Sequence, residues 1–298
     1  MTIQLELPGQ EKDLGGGFIV RRVLPSARRR SVGPFVFFDH FGPVEVPPGA
    51  NHDVRPHPHI GLATVTYLFD GAMMHRDSLG TGQLIEPGAI NWMTSGRGIV
   101  HSERRPPGLQ GKSYAVHGLQ LWAALPVAHE EDEPSFAHTP ASAIPEVRVG
   151  DAQVRVLIGE AFGARSPVAT FAPTLYLDIS LPEGGSVALP PLAAEMAVYP
   201  VQGRAWVDGR PLPAQTMAVL QPGESSHVSA AGTARFAVIG GEPLDAPRHM
   251  WWNFVSSRKE RILQAAGDWE AQRMGRVPGD DEFIPLPPTR FTPPEPIS

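Results

Sequence analysis

Apolar, aromatic and β-branched residues come in short runs, with Gly, Pro, Asp and Ser between them. Positions 18–23, 35–38, 63–69, 73–76, 99–102 and 118–123 form a first series. Positions 154–158, 175–181, 196–198, 205–207, 217–220 and 236–239 form a second. Such side chains fit a pleated, half-buried surface, and regular short runs punctuated by turn residues predict sandwiches or barrels.

Between the series, residues 126–145 include His129-Glu130-Glu131-Asp132-Glu133-Pro134 and few large apolar residues. This stretch reads as an inter-domain connection. The two series resemble each other. Tyr67-Leu68-Phe69-Asp70-Gly71 matches Tyr199-Pro200-Val201-Gln202-Gly203, an offset of 132 residues, and Glu86-Pro87-Gly88 has an approximate counterpart in Gln221-Pro222-Gly223. A duplicated barrel follows as the expectation. Near the C-terminus the period changes. Ser257-Arg258-Lys259-Glu260 fits a capping box, and Ile262, Ala266 and Trp269 then share one helical face. One helix is predicted over 257–272. The Pro-rich tail, 277–298, is predicted to lie extended on the surface or across the other domain, and Trp251, Trp252 and Trp269 to anchor the C-terminal segment to a barrel.

The chain has 298 residues, 42% hydrophobic and 19% charged, enough for two domains and too sparsely charged for a disordered chain. With a net charge of -6, its only dense basic run is Arg28-Arg29-Arg30, read as a solvated loop. No nucleic-acid partner is therefore expected, because neutralising phosphates needs a larger basic face. There is no Cys, which excludes disulfides and thiolate metal sites. The first residues lack a positively charged and then apolar leader pattern, and no apolar run approaches the roughly 20 residues of a membrane helix. A cytoplasmic protein is the default reading.

His57-Pro58-His59 changes the picture. Along a strand, positions i and i+2 face the same side, so both imidazoles can enter one barrel interior. His101-Ser102-Glu103 repeats the spacing. If the two strands lie close, His57, His59, His101 and Glu103 converge on one divalent metal ion. Such ligands suit Fe(II), Mn, Co, Ni, Cu or Zn and leave coordination positions open for substrate or dioxygen. His40, His52, His75, His117, His129, His138 and His249 lack a spaced partner and are expected to satisfy local hydrogen bonds, with His75 and His117 as residues that could border the cavity. Trp92, Met93, Phe37 and Phe38 read as core more readily than as pocket lining.

These residues also carry a resemblance. His57-Pro58-His59-Ile60-Gly61-Leu62-Ala63-Thr64-Val65-Thr66-Tyr67, then His75-Arg76-Asp77-Ser78-Leu79-Gly80 and Pro87-Gly88 through Gly96-Arg97-Gly98-Ile99-Val100-His101-Ser102-Glu103, resemble the pirin family of the cupin superfamily. Val116-His117-Gly118-Leu119-Gln120-Leu121-Trp122, Arg21-Arg22-Val23-Leu24-Pro25 and Gly33-Pro34-Phe35-Val36-Phe37-Phe38-Asp39-His40-Phe41-Gly42-Pro43 also fit. The similarity is specific over about 15–125 and weaker to about 245.

The resemblance implies an all-β fold of two tandem cupin (jelly-roll) barrels with a C-terminal helix and extended tail. The metal barrel would span 1–135, a barrel without metal 145–245, and the helix and tail 246–298 would pack on the barrels. The family's ligands, usually reported on iron, map onto His57, His59, His101 and Glu103, with Fe(II) as the first expectation. The implied activity is a quercetin 2,3-dioxygenase-like oxidation of a flavonol or related enol by O2, with Glu103 accepting the substrate proton. The rival is a non-enzymatic, metal- or redox-responsive regulator that binds a partner protein; a hydrolase or isomerase using metal-bound water is a third reading. Family members often carry Arg and Phe-Glu where this chain has Ile60 and Leu62-Ala63, which would remove polar groups near the metal. At the offset of 132, Leu189 and Pro191 fall opposite His57 and His59, so no second metal is expected. His227 is expected in a turn.

Overall fold

The computed structural model describes residues 2–15, 17–50 and 52–289. It is built from strands with one α-helix, Lys259–Glu270, in two compact units that interleave along the chain. One comprises Lys12–Val20, His40–His138 and the chain from Leu244 onward. The other comprises Met1–Glu11, Arg21–Asp39 and Thr139–Pro243. A linear boundary near residue 135 does not capture this exchange.

In the first unit, Val54–His59, Ile99–Arg104, Met73–Asp77 and Gly82–Ile85 form one sheet in that order. A second sheet carries Ser135–Thr139, Ile90–Thr94, Leu62–Asp70 and Tyr114–Ala124, then the strand Phe35–Val46, whose residues from His40 on belong to this unit. The strands at 62–70 and 114–124 pair antiparallel, setting Thr64 opposite Trp122 and Thr66 opposite Gln120. Thr64 and Thr66 also lie opposite Met93 and Asn91. Directly opposed residues share a face, so these six side chains form one wall. The wall faces the other sheet, since Trp122 meets His59 edge-on at 5.0 Å.

The segment expected to be a bare connection contributes a strand of its own, Ser135–Thr139. Its acidic neighbour Glu130 is buried and does structural service. The fully buried Arg248 guanidinium pairs with it at 2.8 Å, and the Ser257 N–H and hydroxyl both donate to it at 2.8 Å. This corrects the capping-box expectation. The residue before the helix is Arg258, with no side-chain cap, because the Ser257 hydroxyl is engaged by Glu130. The helix nevertheless buries the predicted face, Ile262 and Trp269 with Ala265, against Ile60, Val100 and Phe254. Trp269 Nε1 donates to the Ile284 carbonyl at 2.9 Å, and Ile284 N–H to the Pro56 carbonyl at 2.8 Å. The part of the expected tail beyond Thr289 lies outside the described residues.

In the second unit a seven-stranded sheet runs Ile3–Pro8, Thr216–Leu220, Glu195–Gln202, Ala234–Gly241, Thr174–Leu181, Ala152–Ile158, Glu146–Val149, and faces Ser186–Leu189, Ser226–Ala230, Ala205–Val207, Arg210–Leu212. Its interior is an apolar cluster that includes Val187, Leu189, Val198, Val228 and Phe236. Each such side chain contributes about 1.5–3 kcal/mol on burial. Phe38 packs here on Tyr199, at 4.7 Å between ring centroids.

The expected repeat is present as strand order, but part of its alignment slips. Tyr67 and Tyr199 each sit on a strand leading into a glycine turn. Pro87-Gly88, by contrast, precedes the strand 90–94, whereas Pro222-Gly223 follows the equivalent strand 216–220. The inward cross-strand pair Val187–Val228 stands where the first unit has His57–His101, a shift of two from the expected counterpart Leu189. His227 is an exposed strand residue rather than a turn residue. Arg29 is also more than a solvated charge: it pairs with Glu195 and donates to the Ser31 carbonyl.

Candidate metal centre

His57 and His59 lie on the strand Val54–His59, two apart, and His101 lies directly across from His57 on Ile99–Arg104. The period-two rule therefore delivers three imidazoles to one face. Ring centroids are 4.3 Å apart for His57–His101 and 5.0 Å for His57–His59 and His59–His101. All three are buried, and their ligand atoms lie within 4.8 Å of one another. Among the described residues this is the group of His and carboxylate side chains placed to share an ion.

The outward nitrogens are occupied. His57 Nδ1 lies 2.8 Å from the Arg55 carbonyl and His59 Nδ1 3.2 Å from the Asn253 carbonyl. A carbonyl only accepts, so each Nδ1 carries the proton and each Nε2 keeps its lone pair. His101 Nε2 is buried with no hydrogen-bond partner in the protein. A buried ring nitrogen without a partner is costly, and a cation is the group that would satisfy it. Burial also drives the histidines toward the neutral, ligating form: His57 is lowered to about 4, and His59 and His101 well below their ordinary value.

Glu103 follows His101 on the same face but stands outside the three-histidine group. A register shift lies between His101 and Glu103. Burial raises its carboxyl to about 7, against the opposing effect of a hydrogen bond with Thr66, whose hydroxyl oxygen also lies 2.9 Å from Gln120 Oε1. The donor set of three neutral nitrogens and a nearby carboxyl fits a borderline divalent ion.

Several neighbours were not picked out by spacing. His75 Nε2 lies 3.0 Å from Asp77 Oδ2, and His75 Nδ1 lies 3.4 Å from His101 Nδ1. His75 therefore has a spaced partner after all. His75-Arg76-Asp77 repeats the period-two pairing of the other motifs, and that signal could have been read. Phe136 stacks on His75 at 4.4 Å, and His138 meets Asn91 at 2.7 Å. Both come from the strand 135–139, which composition hid because it follows the acidic run 130–133 and is flanked by Pro134 and Pro140. His117 does not join the centre; its Nε2 lies 2.8 Å from His40 Nε2. Ile60 packs with Val100, Phe254 and Ile262 beneath the C-terminal helix, so its departure from the family pattern changes that interface rather than the metal's surroundings. Phe37 lies under the Arg22 guanidinium at 4.4 Å, in the other unit.

Residues 17–123 match the Pirin family model and residues 176–275 that of the Pirin C-terminal cupin domain. A pirin-like protein of Caulobacter vibrioides is 48% identical over 290 residues, covering 96% of this chain and 99% of that one. This chain belongs to the pirin family. Human Pirin is 33% identical, with 92% of this chain and 93% of that one covered. A crystal structure of quercetin 2,3-dioxygenase from Acinetobacter baumannii superposes with a TM-score of 0.93 at 34% identity, covering 100% of this chain and 98% of that one. The expected pair of cupin barrels is thus the fold of this pirin-family chain, and the second family model runs on through the C-terminal helix. No helix among the described residues is long and apolar enough to cross a membrane.

Proposed function

We propose that this chain is a pirin-type dioxygenase in which His57, His59, His101 and Glu103 hold one divalent metal ion, Fe(II) in the first instance, and which oxidises a flavonol or related aromatic enol with O2. The observation that carries the reading is the set of three buried imidazoles whose ligand atoms lie within 4.8 Å of one another, with Nδ1 of His57 and His59 engaged by carbonyls and Nε2 of His101 without a partner. When bound, the ion supplies Lewis-acid stabilisation of an enolate and redox access to dioxygen.

The protein's own part is binding and proton handling. The wall of Thr64, Thr66, Met93, Gln120 and Trp122 offers an aromatic ring an apolar surface with a few polar contacts, as small-molecule sites do. Glu103 is the general base. Burial raises this carboxyl to about 7 in the metal-free protein, and a divalent ion held beside it would favour the carboxylate, the form that can accept a proton. It takes the enol hydroxyl proton on its carboxylate oxygen, and the Thr66 hydroxyl stays beside it as a hydrogen-bond partner. The similarity to the Acinetobacter quercetin 2,3-dioxygenase supports this substrate class.

Elemental analysis is expected to find one ion per chain, lost in His57→Ala and His101→Ala. Metal-loaded protein is expected to consume O2 with quercetin in an oxygen electrode. That uptake should stop on chelation and in Glu103→Ala with the fold intact by circular dichroism. Metal-loaded protein that leaves quercetin and related enols untouched overturns the enzyme reading. Metal-dependent capture of a partner protein by the same material would then support the regulator, and turnover without O2 uptake the hydrolase or isomerase.

A further inference from the structure

Asp77 is fully buried, and His75 nearly so. One Asp77 oxygen, Oδ1, accepts the backbone N–H groups of Leu79 at 2.9 Å and Thr81 at 3.0 Å. The other, Oδ2, is left for His75 Nε2 at 3.0 Å. Two backbone N–H donors on one oxygen stabilise the ionised form of this side chain. As a carboxylate it only accepts, so His75 Nε2 carries a proton. The other His75 nitrogen, Nδ1, then offers a lone pair. It points at His101 Nδ1, 3.4 Å away. For these two nitrogens to bond, the proton between them must sit on His101. The free lone pair of His101 is then on Nε2, the buried atom without a partner.

We propose that Asp77 and His75 are positioning residues that set the tautomer of His101, so that Nε2 is the atom presented to the metal. The inference rests on the metal-centre reading above and is independent of the substrate. His57 and His59 obtain the same setting from backbone carbonyls, so His101 is the ligand whose orientation depends on side chains. The order of donors and acceptors is Asp77 carboxylate, His75, His101, ion, an arrangement of the kind in which outer partners fix a ligand's ring and its proton.

The chain of bonds has a direction, and Asp77→Asn reverses it. The substituted side chain keeps an amide oxygen for the Leu79 and Thr81 N–H groups, so the turn retains its acceptors. Its amide NH2 then faces His75 and donates. His75 must accept at Nε2 and donate from Nδ1, and His101 must accept at Nδ1 and carry its proton on Nε2, where it blocks ligation. Such a tautomer error is far more damaging than its small change in shape.

The test is Co(II) binding to metal-free wild type, Asp77→Asn and His75→Phe, followed by competition titration and by the cobalt d–d spectrum. Loss of outer partners commonly weakens metal affinity about 10–100-fold. Asp77→Asn is expected at or beyond the upper end of that range, with the metal-free melting temperature close to wild type. His75→Phe, which removes guidance without imposing the wrong proton, is expected to lose less. Nitrogen-15 NMR of metal-free wild type is expected to show His101 protonated on Nδ1, and this arm needs no variant to fold. Affinity of Asp77→Asn within twofold of wild type overturns the proposal, as does His101 protonated on Nε2 in the wild type. A purely structural role would lower the melting temperature and leave the affinity alone. Wild type that binds no Co(II) overturns the metal centre itself, and this inference with it.

Discussion

Glu103→Gln is expected to stabilise the metal-free protein while disabling its site. The folded carboxyl titrates at about 7 against an ordinary value of 4.5. The native state therefore holds its proton long after the unfolded chain has released it. The sign follows from the raised value: the group is fully compatible with folding below 4.5, and stability is lost as pH rises through 7. The proton-binding difference gives a penalty of about 1 kcal/mol near pH 5.5 and about 3 kcal/mol near pH 8.5, a pKa shift of one being worth roughly 1.4 kcal/mol. Gln carries no charge to desolvate and can keep the contact with Thr66. The variant should therefore exceed wild type in urea melts of metal-free protein, by an amount that grows by about 2 kcal/mol across that pH interval.

Adding the ion should reverse the ranking. The wild-type carboxylate, costly when bare, becomes a partner for a divalent cation, and ligand binding to the native state alone stabilises by mass action. The Glu103→Gln side chain offers only an amide oxygen and gains less. A Glu103→Gln advantage that does not change with pH refutes the assignment of the buried, raised carboxyl. A wild type that is the more stable without metal near pH 8.5 refutes it as well.

The histidines give the opposite slope. With the folded value of His57 at about 4 against 6.5, its contribution is complete above 6.5 and is lost as pH falls through 4, about 3 kcal/mol from this residue, and His59 and His101 add to the loss in the same direction; urea melts of metal-free Glu103→Gln read the three together, apart from the carboxyl. Gly61 has φ +66, and a Cβ there would overlap the Val255 backbone carbonyl, whereas Gly80, with φ +88, faces open space. Gly61→Ala is expected to destabilise by about 2–5 kcal/mol, joining left-handed strain of about 1–2 to overpacking of about 1–3, and Gly80→Ala by the strain alone. Equal melting temperatures for the two variants would refute the close approach at Gly61.

How much of this was legible depends on what kind of atom does the work. His57, His59 and His101 could be found from spacing alone because a strand converts every second letter into one face. The barrel strands were legible for a similar reason: the runs at 154–158, 175–181 and 236–239 lie within strands that fill the apolar core of their unit. Pairing partners were not. The strand Ile3–Pro8 joins Thr216–Leu220 across more than two hundred residues, and nothing in either segment's alternation names the other. The strand 135–139 was masked by composition, since an acidic, Pro-flanked stretch looks solvated until Glu130 is seen buried with Arg248.

The least legible part of the site is also the part that makes it a site. The groups that fix the protons of His57 and His59 are backbone carbonyls of Arg55 and Asn253, and every residue type has a carbonyl, so no letter marks them. The acceptor at Asn253 sits in the turn between two short strands, His249–Trp251 and Phe254–Ser256, 194 residues beyond His59. It is held there by Phe254 packing with Ile60 and Val100, the outward-facing neighbours of His59 and His101. Alternation along those two strands thus does double duty: inward letters present imidazoles, and outward letters grip the C-terminal segment that orients one of them. A substitution on the outward face, such as Phe254→Ala, removes a fully buried ring, typically at about 3–5 kcal/mol, and loosens the carbonyl that holds His59 Nδ1. The three histidines can be written down from the sequence, but the setting of their ring nitrogens is a property of packing between segments that the sequence keeps far apart.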